Sequence, residues 1–451
     1  MKQFFILFLT FFILGCSGGG GGDEAAPATT PPPVTEPPVV ADPLLVTFFQ
    51  THAVTTQLPL LVILVDFDDY AITDTDLAWS QKIFSDSQGQ LNHYFKEISG
   101  NTFSFIPANE GSNTENDGII KVHLNFNHPN SGSSNFDNIA DPALALADAS
   151  IDFASYDTNM NNKIDVDELQ IMFLVAGGEN ATGLTPGIWA HTSCIDGIAY
   201  DGTSLMQCSN GSYTSFGERH FSFGPGGNDA SIGIIAHELG HGAFYLPDLY
   251  DTDQSSVGIG NFGLMGSGSW TLQSGEFPGE TPSHMCAWTK IQSGFLVQDT
   301  ISTDVNNLPL NATGTTSYEA IKINTQDSNE YFLVENRSAL GYDSGLYRLE
   351  LTTFQGGLAV WHIDESQSNN ADENQRLVDL EEADGFLLNG AADEGDQTNL
   401  FYAGNNAAAY TGVFTPNSTP SNSDLYNNSD TNIYITNISA AGSIMYLDLS
   451  F

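Results

Sequence analysis

Apolar and polar positions divide the chain into four stretches. Residues 1–15, MKQFFILFLTFFILG, place one basic residue before a short run of Phe, Ile and Leu. That pattern predicts a signal peptide rather than a membrane span. Residues 16–57 have little periodicity: a Gly run and then a Pro/Thr-rich run, SGGGGGDEAAPATTPPPVTEPPVVADP, predict a flexible-to-extended tether. Patterned sequence starts at Leu58. LPLLVILVD is almost continuously apolar and ends in an acid, as a strand buried on both faces does. Leu77, Ile83, Leu91, Tyr94, Phe95 and Ile98 fall at helical spacing, best in the second half. Short strands are expected over 102–126, an Ala-rich helix over 139–152, and a second buried strand at Leu169–Ala176. Residues 229–245 repeat Ile232, Ile235 and Leu239 at threes and fours, a helix with Asp229 as its N-cap. From 301 the period changes. YEAIKI, EYFLVE, GLAVWHI, IYITNI and SIMYLDL are short strands between Asn/Gly/Ser turns. The expected organisation is 1–15 signal peptide, 16–57 tether, 58–300 an α/β domain, and 301–451 a β-rich domain.

Charge narrows the partners. Eleven Lys and Arg against 55 Asp and Glu leave a formal net charge of −44. Such a surface repels phosphate backbones, so nucleic acid is excluded as a partner. The Gly-rich turn at 224–227 lacks the Lys-Ser/Thr of a phosphate loop, so no nucleotide is expected. GSGSW does not fit GxSxG, which removes support for serine hydrolase chemistry. The run Ile13-Leu14-Gly15-Cys16 resembles a bacterial lipobox. It implies cleavage before Cys16, acylation of that residue and attachment to a lipid bilayer, with Ser17 favouring the outer membrane of the cell envelope. In an exported chain Cys194 and Cys208 can form a disulfide, and Cys286 in MCAW reads as a buried thiol.

The sharpest chemical signal is His237-Glu238-Leu239-Gly240-His241. On a helix the two histidines lie four apart and share a face, where both imidazoles can bind one Zn²⁺. Glu238 is then placed to act as general base toward water. A third ligand has to come from outside the helix. Asp248 in LPDLYD is the nearest candidate, Asp251 is the alternate, and His220 or His191 could reach in from distant loops. A second pattern, Asp157 to Glu168, fits the twelve-position Ca²⁺ loop: Asp157, Asn159, Asn161, Asp165 and Glu168 supply side-chain oxygens, and Lys163 a backbone carbonyl. Asn162 stands where Gly is usual and tolerates the left-handed conformation.

HELGH…LPDLYD, GIGNFGLMGSGSW (258–270) and PSHMCAWTKI (282–291) together resemble the immune-inhibitor-A-type metallopeptidases, the M6 family of zinc endopeptidases akin to metzincins. The resemblance extends to LPLLVILVDFDDY and LNHYFKEISGNTFSF upstream, and to EYFLVENR, GLYRLE, GGLAVWHIDE and ITNISAAG downstream. It implies an α/β zincin-like catalytic domain with an HExxH helix and a Met-turn, followed by a β-rich C-terminal domain. It also implies zinc on His237, His241 and Asp248, Glu238 as base, Met265 as the Met-turn floor, and protein or peptide substrates. One departure stands out. The family places Gly three residues after the second His and Asp six after; here Phe244 takes the first place and Asp248 lies seven after His241. A residue inserted within Gly242–Tyr245 should make the chain turn at Gly242 or bulge before Pro247, and it gives Asp251 weight. The competing reading is a cell-surface adhesion or polymer-binding protein with a lapsed protease domain.

Overall fold

The apolar run at the start of the patterned sequence is the spine of the first sheet. The computed structural model describes residues 57–451 except 113, 222–227, 351–353, 386–387 and 389–393. The signal peptide, the tether with Cys16, and the Gly-rich turn at 224–227 lie outside the described residues. Strand β1 (Gln57–Phe67) is buried almost throughout, because strands flank it on both edges and helices cover its faces. It is followed by α1 (Asp76–Phe84), α2 (Leu91–Ile98), the short strands β2 (Ser104–Pro107) and β3 (Ile119–Leu124), α3 (Asp137–Ala147) and β4 (Gln170–Glu179). β2 and β3 run parallel to successive stretches of β1, and β4 pairs parallel to it from Leu60 to Val65. Next come β5 (His191–Ser193) and β6 (Tyr213–His220). β6 lies parallel to β4, and β5 runs antiparallel along β6 with Thr192 opposite Thr214.

Helix α4 (Ile232–Phe244) carries the HExxH sequence and is buried on nearly every side. Its mean composition is strongly apolar for that reason, and its glycines mark where neighbours press closest. A Cβ at Gly233 would collide with the Ser269 carbonyl oxygen. The expected cap of this helix fails, and of the two expectations for its end the turn at Gly242 fails while an irregularity just before Pro247 is found. Asp229 does not cap it: its carboxylate is held by the Arg219 guanidinium across a two-residue strand pair, and the helix starts after Ser231. Nor does the chain turn at Gly242. The helix continues to Phe244 and Tyr245 makes the turn in the left-handed conformation at φ 52°, with its N–H donating to His241 O at 2.8 Å. Gly242 is needed for contact instead, since a Cβ there would meet Gln170 and Thr214 at 3.1 Å.

After α5 (Ala287–Gln292) the strands expected from the change of period appear. β7 (Asp299–Ile301), β9 (Ala320–Asn324), β10 (Glu330–Arg337), β11 (Gly357–Asp364) and β12 (Val378–Leu380) form a five-stranded sheet in the order β7-β9-β10-β11-β12. β8 (Val305–Asn311) and β13 (Tyr434–Thr436) flank β14 (Ile444–Ser450) in a three-stranded sheet. One apolar cluster runs from β1 through α4 into β10 and β11. Cys194 and Cys208 form a disulfide, and Cys286 is a buried free thiol. Among the described residues no helix is long and apolar enough to cross a membrane.

Candidate metal centre

The four-residue spacing on α4 puts His237 and His241 on one face, and the loop after the helix returns Asp248 to the same place. Their ligand atoms converge: His237 Nε2 lies 3.2 Å from His241 Nε2, and Asp248 Oδ1 lies 3.2 and 3.1 Å from the two nitrogens. Of the described residues, these are the three His, Cys, Asp or Glu side chains grouped tightly enough to share an ion. The ring tautomers follow from their other nitrogens. His237 Nδ1 faces Leu264 O at 3.0 Å and His241 Nδ1 faces Leu246 O at 2.5 Å. A carbonyl only accepts, so each Nδ1 carries the hydrogen and each neutral Nε2 presents a lone pair.

Three acceptors therefore face one another in a largely buried site, and no donor among the described residues resolves them. Asp248 Oδ1 has no well-aligned hydrogen bond despite its short distances to both rings. A tetrahedral ion bonded at about 2.0–2.1 Å keeps its ligand atoms about 3.3 Å apart, which matches this triangle. The donor set, two imidazoles and one carboxylate, also suits a zinc site that leaves a position open. Without an ion a proton must serve. Burial pulls the His241 pKa down, but the Asp248 carboxylate outweighs it and raises the value to about 9. Burial likewise pushes the Asp248 carboxyl up, and the two imidazoles bring it far below the ordinary carboxylate range.

The inserted residue leaves Asp248 in place because its neighbours are pinned from outside the helix. Leu249 N donates to Met265 O at 2.8 Å, while Leu249 O accepts from Ile259 N at 3.0 Å and from Asn370 Nδ2 at 2.9 Å. Met265 packs beneath α4: a Cβ at Gly240 would be 2.7 Å from its sulfur. One short loop thus holds both sides of the site, Leu264 O taking the His237 hydrogen and Met265 O fixing the Asp248 segment.

The alternates are occupied elsewhere. The Asp251 carboxylate accepts from Asp253 N, from Ser255 Oγ, and from Ser256 N and Oγ, closing its own loop. His220 Nδ1 accepts from Ser231 N at 3.4 Å, and complete burial lowers its pKa to about 3. His191 lies against Trp189 O, Tyr213 OH and Ser215 Oγ. His284 Nε2 meets Glu97 Oε1 at 2.8 Å, and the Tyr250 ring stacks near His237 with centroids 6.2 Å apart. Glu238 is buried beside the triad, and Thr192 Oγ1 reaches its Oε2 at 3.0 Å.

The Asp157–Glu168 segment forms a separate tight loop. Asn162 takes φ 62°, as a residue in the Gly place must. Ile164 N donates to Ser204 O at 2.9 Å, tying the loop's exit to a neighbouring strand. Glu168 Oε1 closes the loop onto Thr158 N at 2.8 Å and Asn159 N at 3.0 Å, and Asp165 Oδ2 gathers the amides of Asn159 and Asn161. Its carboxylates do not converge as tightly as the His-His-Asp set.

Some supporting residues are given no role by the sequence pattern. Arg337 is fully buried; its Nε and Nη2 hold Asp343 at 2.7 and 2.6 Å, and its Nη1 donates to Phe262 O. Asp343 Oδ1 accepts from His284 N at 2.9 Å, and His284 O accepts from Leu264 N at 3.3 Å. The 301–451 segment therefore braces the loop that orients His237. Residues 140–296 match the immune inhibitor A peptidase M6 catalytic domain, and residues 325–377 match the VEG domain of immune inhibitor A-like metallopeptidases. Over these two segments the chain is similar to the M6 peptidases. The M6 match encloses the whole triad, and the VEG match includes Arg337, Asp343 and Asn370. Pre-pro-metalloprotease PrtV from two strains of Vibrio cholerae serotype O1 is 27% identical over 243 residues. That alignment takes in 48% of this chain but 25% of the relative, so the chain matches a quarter of the length of those metalloproteases.

Proposed function

We propose that this chain is a zinc endopeptidase that cleaves proteins by water attack, with Glu238 as general base. The observation that carries the reading is the convergence of three lone-pair donors, His237 Nε2, His241 Nε2 and Asp248 Oδ1, within 3.2 Å of one another. A zinc ion held there supplies Lewis acidity toward water and a peptide carbonyl. The chain's own residues do the rest. Leu264 O and Leu246 O hold the imidazoles in the liganding tautomer. Glu238 takes the proton of the attacking water and returns it to the departing amine. Met265 serves as the Met-turn, an apolar floor beneath the site.

Two finer assignments complete the proposal. The loop Asp157, Asn159, Asn161, Lys163, Asp165 and Glu168 is a structural Ca²⁺ site; its left-handed Asn162 supports this reading. Acylated Cys16 anchors the protein at the outer membrane of a bacterial envelope, a reading supported by the sequence Ile13-Leu14-Gly15-Cys16.

The deciding experiment is hydrolysis of denatured casein by zinc- and calcium-loaded protein, with Glu238→Ala beside it. Cleavage by the native protein that disappears in the variant is expected. No cleavage by folded native protein that holds zinc would sink the peptidase reading and leave the adhesion or polymer-binding alternative.

A further inference from the structure

Glu238 is a buried carboxylate beside the triad, and its hydrogen bonding is sparse. Thr192 Oγ1 lies 2.7 Å from the Glu238 main-chain oxygen and 3.0 Å from its Oε2. No other described residue donates to either carboxylate oxygen. A buried carboxylate ordinarily accepts several hydrogen bonds. Here one oxygen is tied and the other, Oε1, is left for a partner outside the chain.

Thr192 is itself held on both sides. Two residues before it, Ala190 N donates to the buried carboxylate of Glu179 at 2.9 Å, which also accepts from Gly217 N at 3.2 Å. Two residues after it stands Cys194, disulfide-bonded to Cys208. Between these anchors β5 pairs with β6, Thr192 facing Thr214. A β-branched side chain on such a strand has few rotamers. Its Oγ1 is thereby held against Glu238, whose main-chain oxygen and Oε2 are the two acceptors within reach of its one hydrogen.

We propose that Thr192 is a positioning residue for Glu238: it fixes Oε2 so that Oε1 is the oxygen presented to the reacting water. The inference rests on the peptidase reading, and it extends the reaction machinery from the helix to the edge strand of the first sheet. A bare strut between β5 and α4 would need the bond to the Glu238 carbonyl alone. A positioning residue needs the bond to Oε2.

The test compares Thr192→Val and Thr192→Ser in the zinc-loaded full chain. Thr192→Val removes the hydroxyl at constant shape. It should lower kcat about 10- to 100-fold with KM within about twofold, while zinc content and unfolding midpoint stay at the native values. Thr192→Ser should recover most of that loss. In the Glu238→Ala background, Thr192→Val should change the residual rate no further, because the group it positions is gone. A crystal structure of metal-free Thr192→Val should show the Glu238 carboxylate displaced from its native rotamer. The proposal is overturned by native kcat in Thr192→Val, by an equal loss in the Glu238→Ala background, or by a loss that follows zinc content or unfolding. If the native chain proves not to cleave peptides, the peptidase reading fails. The crystal structure then still decides whether Thr192 holds Glu238.

Discussion

Two clusters of buried ionisable groups meet at the Leu264 loop, and they are built on opposite principles. In the first, Asp343 and Glu335 surround Arg337, and the chain satisfies every charged oxygen. Asp343 Oδ1 takes Arg337 Nη2 and His284 N, and its Oδ2 takes Arg337 Nε and Thr313 Oγ1. Glu335 Oε1 accepts from Trp361 Nε1 and Ala287 N, and its Oε2 accepts from Tyr318 OH. In the second, His237, His241 and Asp248 turn three acceptors toward one point with no donor between them. The first set is fully enclosed, whereas His241 and Asp248 keep 20% and 14% of their side-chain surface exposed. The difference is whether the counter-charge comes from the chain. A closed cluster fixes shape, whereas an open one holds its groups ready for something the chain lacks.

The largest expected effects test the open cluster. Glu238→Gln should lower peptide hydrolysis by about 10²- to 10⁴-fold while the protein keeps its zinc, because only the proton carrier is lost. Activity within threefold of native would remove Glu238 from the chemistry. Asp248→Ala should abolish stoichiometric zinc binding measured by metal analysis after dialysis. Asp251→Ala should retain the ion and lose loop stability, since its carboxylate serves Ser255 and Ser256. Loss of zinc in the Asp251 variant and not in the Asp248 variant would reverse the ligand assignment. The closed cluster should respond differently. Arg337→Met leaves Asp343 and Glu335 buried with Lys290 as their remaining cation and without their bidentate partner, and should cost about 3–5 kcal/mol in denaturant unfolding. That cost should persist after chelation; a penalty seen only with zinc bound would merge the two clusters into one functional unit.

The open cluster was the more legible of the two in the amino-acid sequence. Its helix, its two histidines and Asp248 follow from a four-residue spacing and a short downstream motif. Local pattern also predicts β1, β4 and the strands after residue 301. What pattern misses are partners distant in the chain. Asp229 looks like a cap until Arg219 claims its carboxylate, and Gly242 looks like a turn until Thr214 and Gln170 crowd against it. Thr192 and Asn370 stand in no recognisable motif, and Arg337 ends EYFLVENR, a segment that resembles the family without pointing to a role. Each acts through a contact that exists only once two sheets and a helix are assembled. Arg337 offered one weak signal, a charged residue ending the apolar strand EYFLVENR.

A third cluster sharpens the comparison with the smallest effect. His362 on β11 is buried between Glu330 and Glu381, its ring nitrogens 3.1 and 3.2 Å from their oxygens, and it stacks on Tyr426 with centroids 4.2 Å apart. Burial acts to discharge the imidazole, but the two glutamates prevail and raise its pKa from 6.5 to about 9. This is a closed cluster whose counter-charge is a proton rather than a guanidinium. A group whose pKa is raised on folding binds its proton more tightly in the native state. Its contribution is complete below pH 6.5 and is lost as pH rises through about 9. Over that window native stability should decline by no more than about 1.4 kcal/mol per pH unit from this one proton, with or without chelator. His362→Gln should flatten the decline in urea unfolding measured from pH 6.5 to 9.5. A decline that survives the substitution would place the titrating group elsewhere. Chelation should add a second decline over the same window, from His241, whose pKa the Asp248 carboxylate raises to about 9 in the ion-free site. A decline seen only after chelation would leave His362 no part in it, and the division between a cluster that supplies its own counter-charge and one that waits for it would fail.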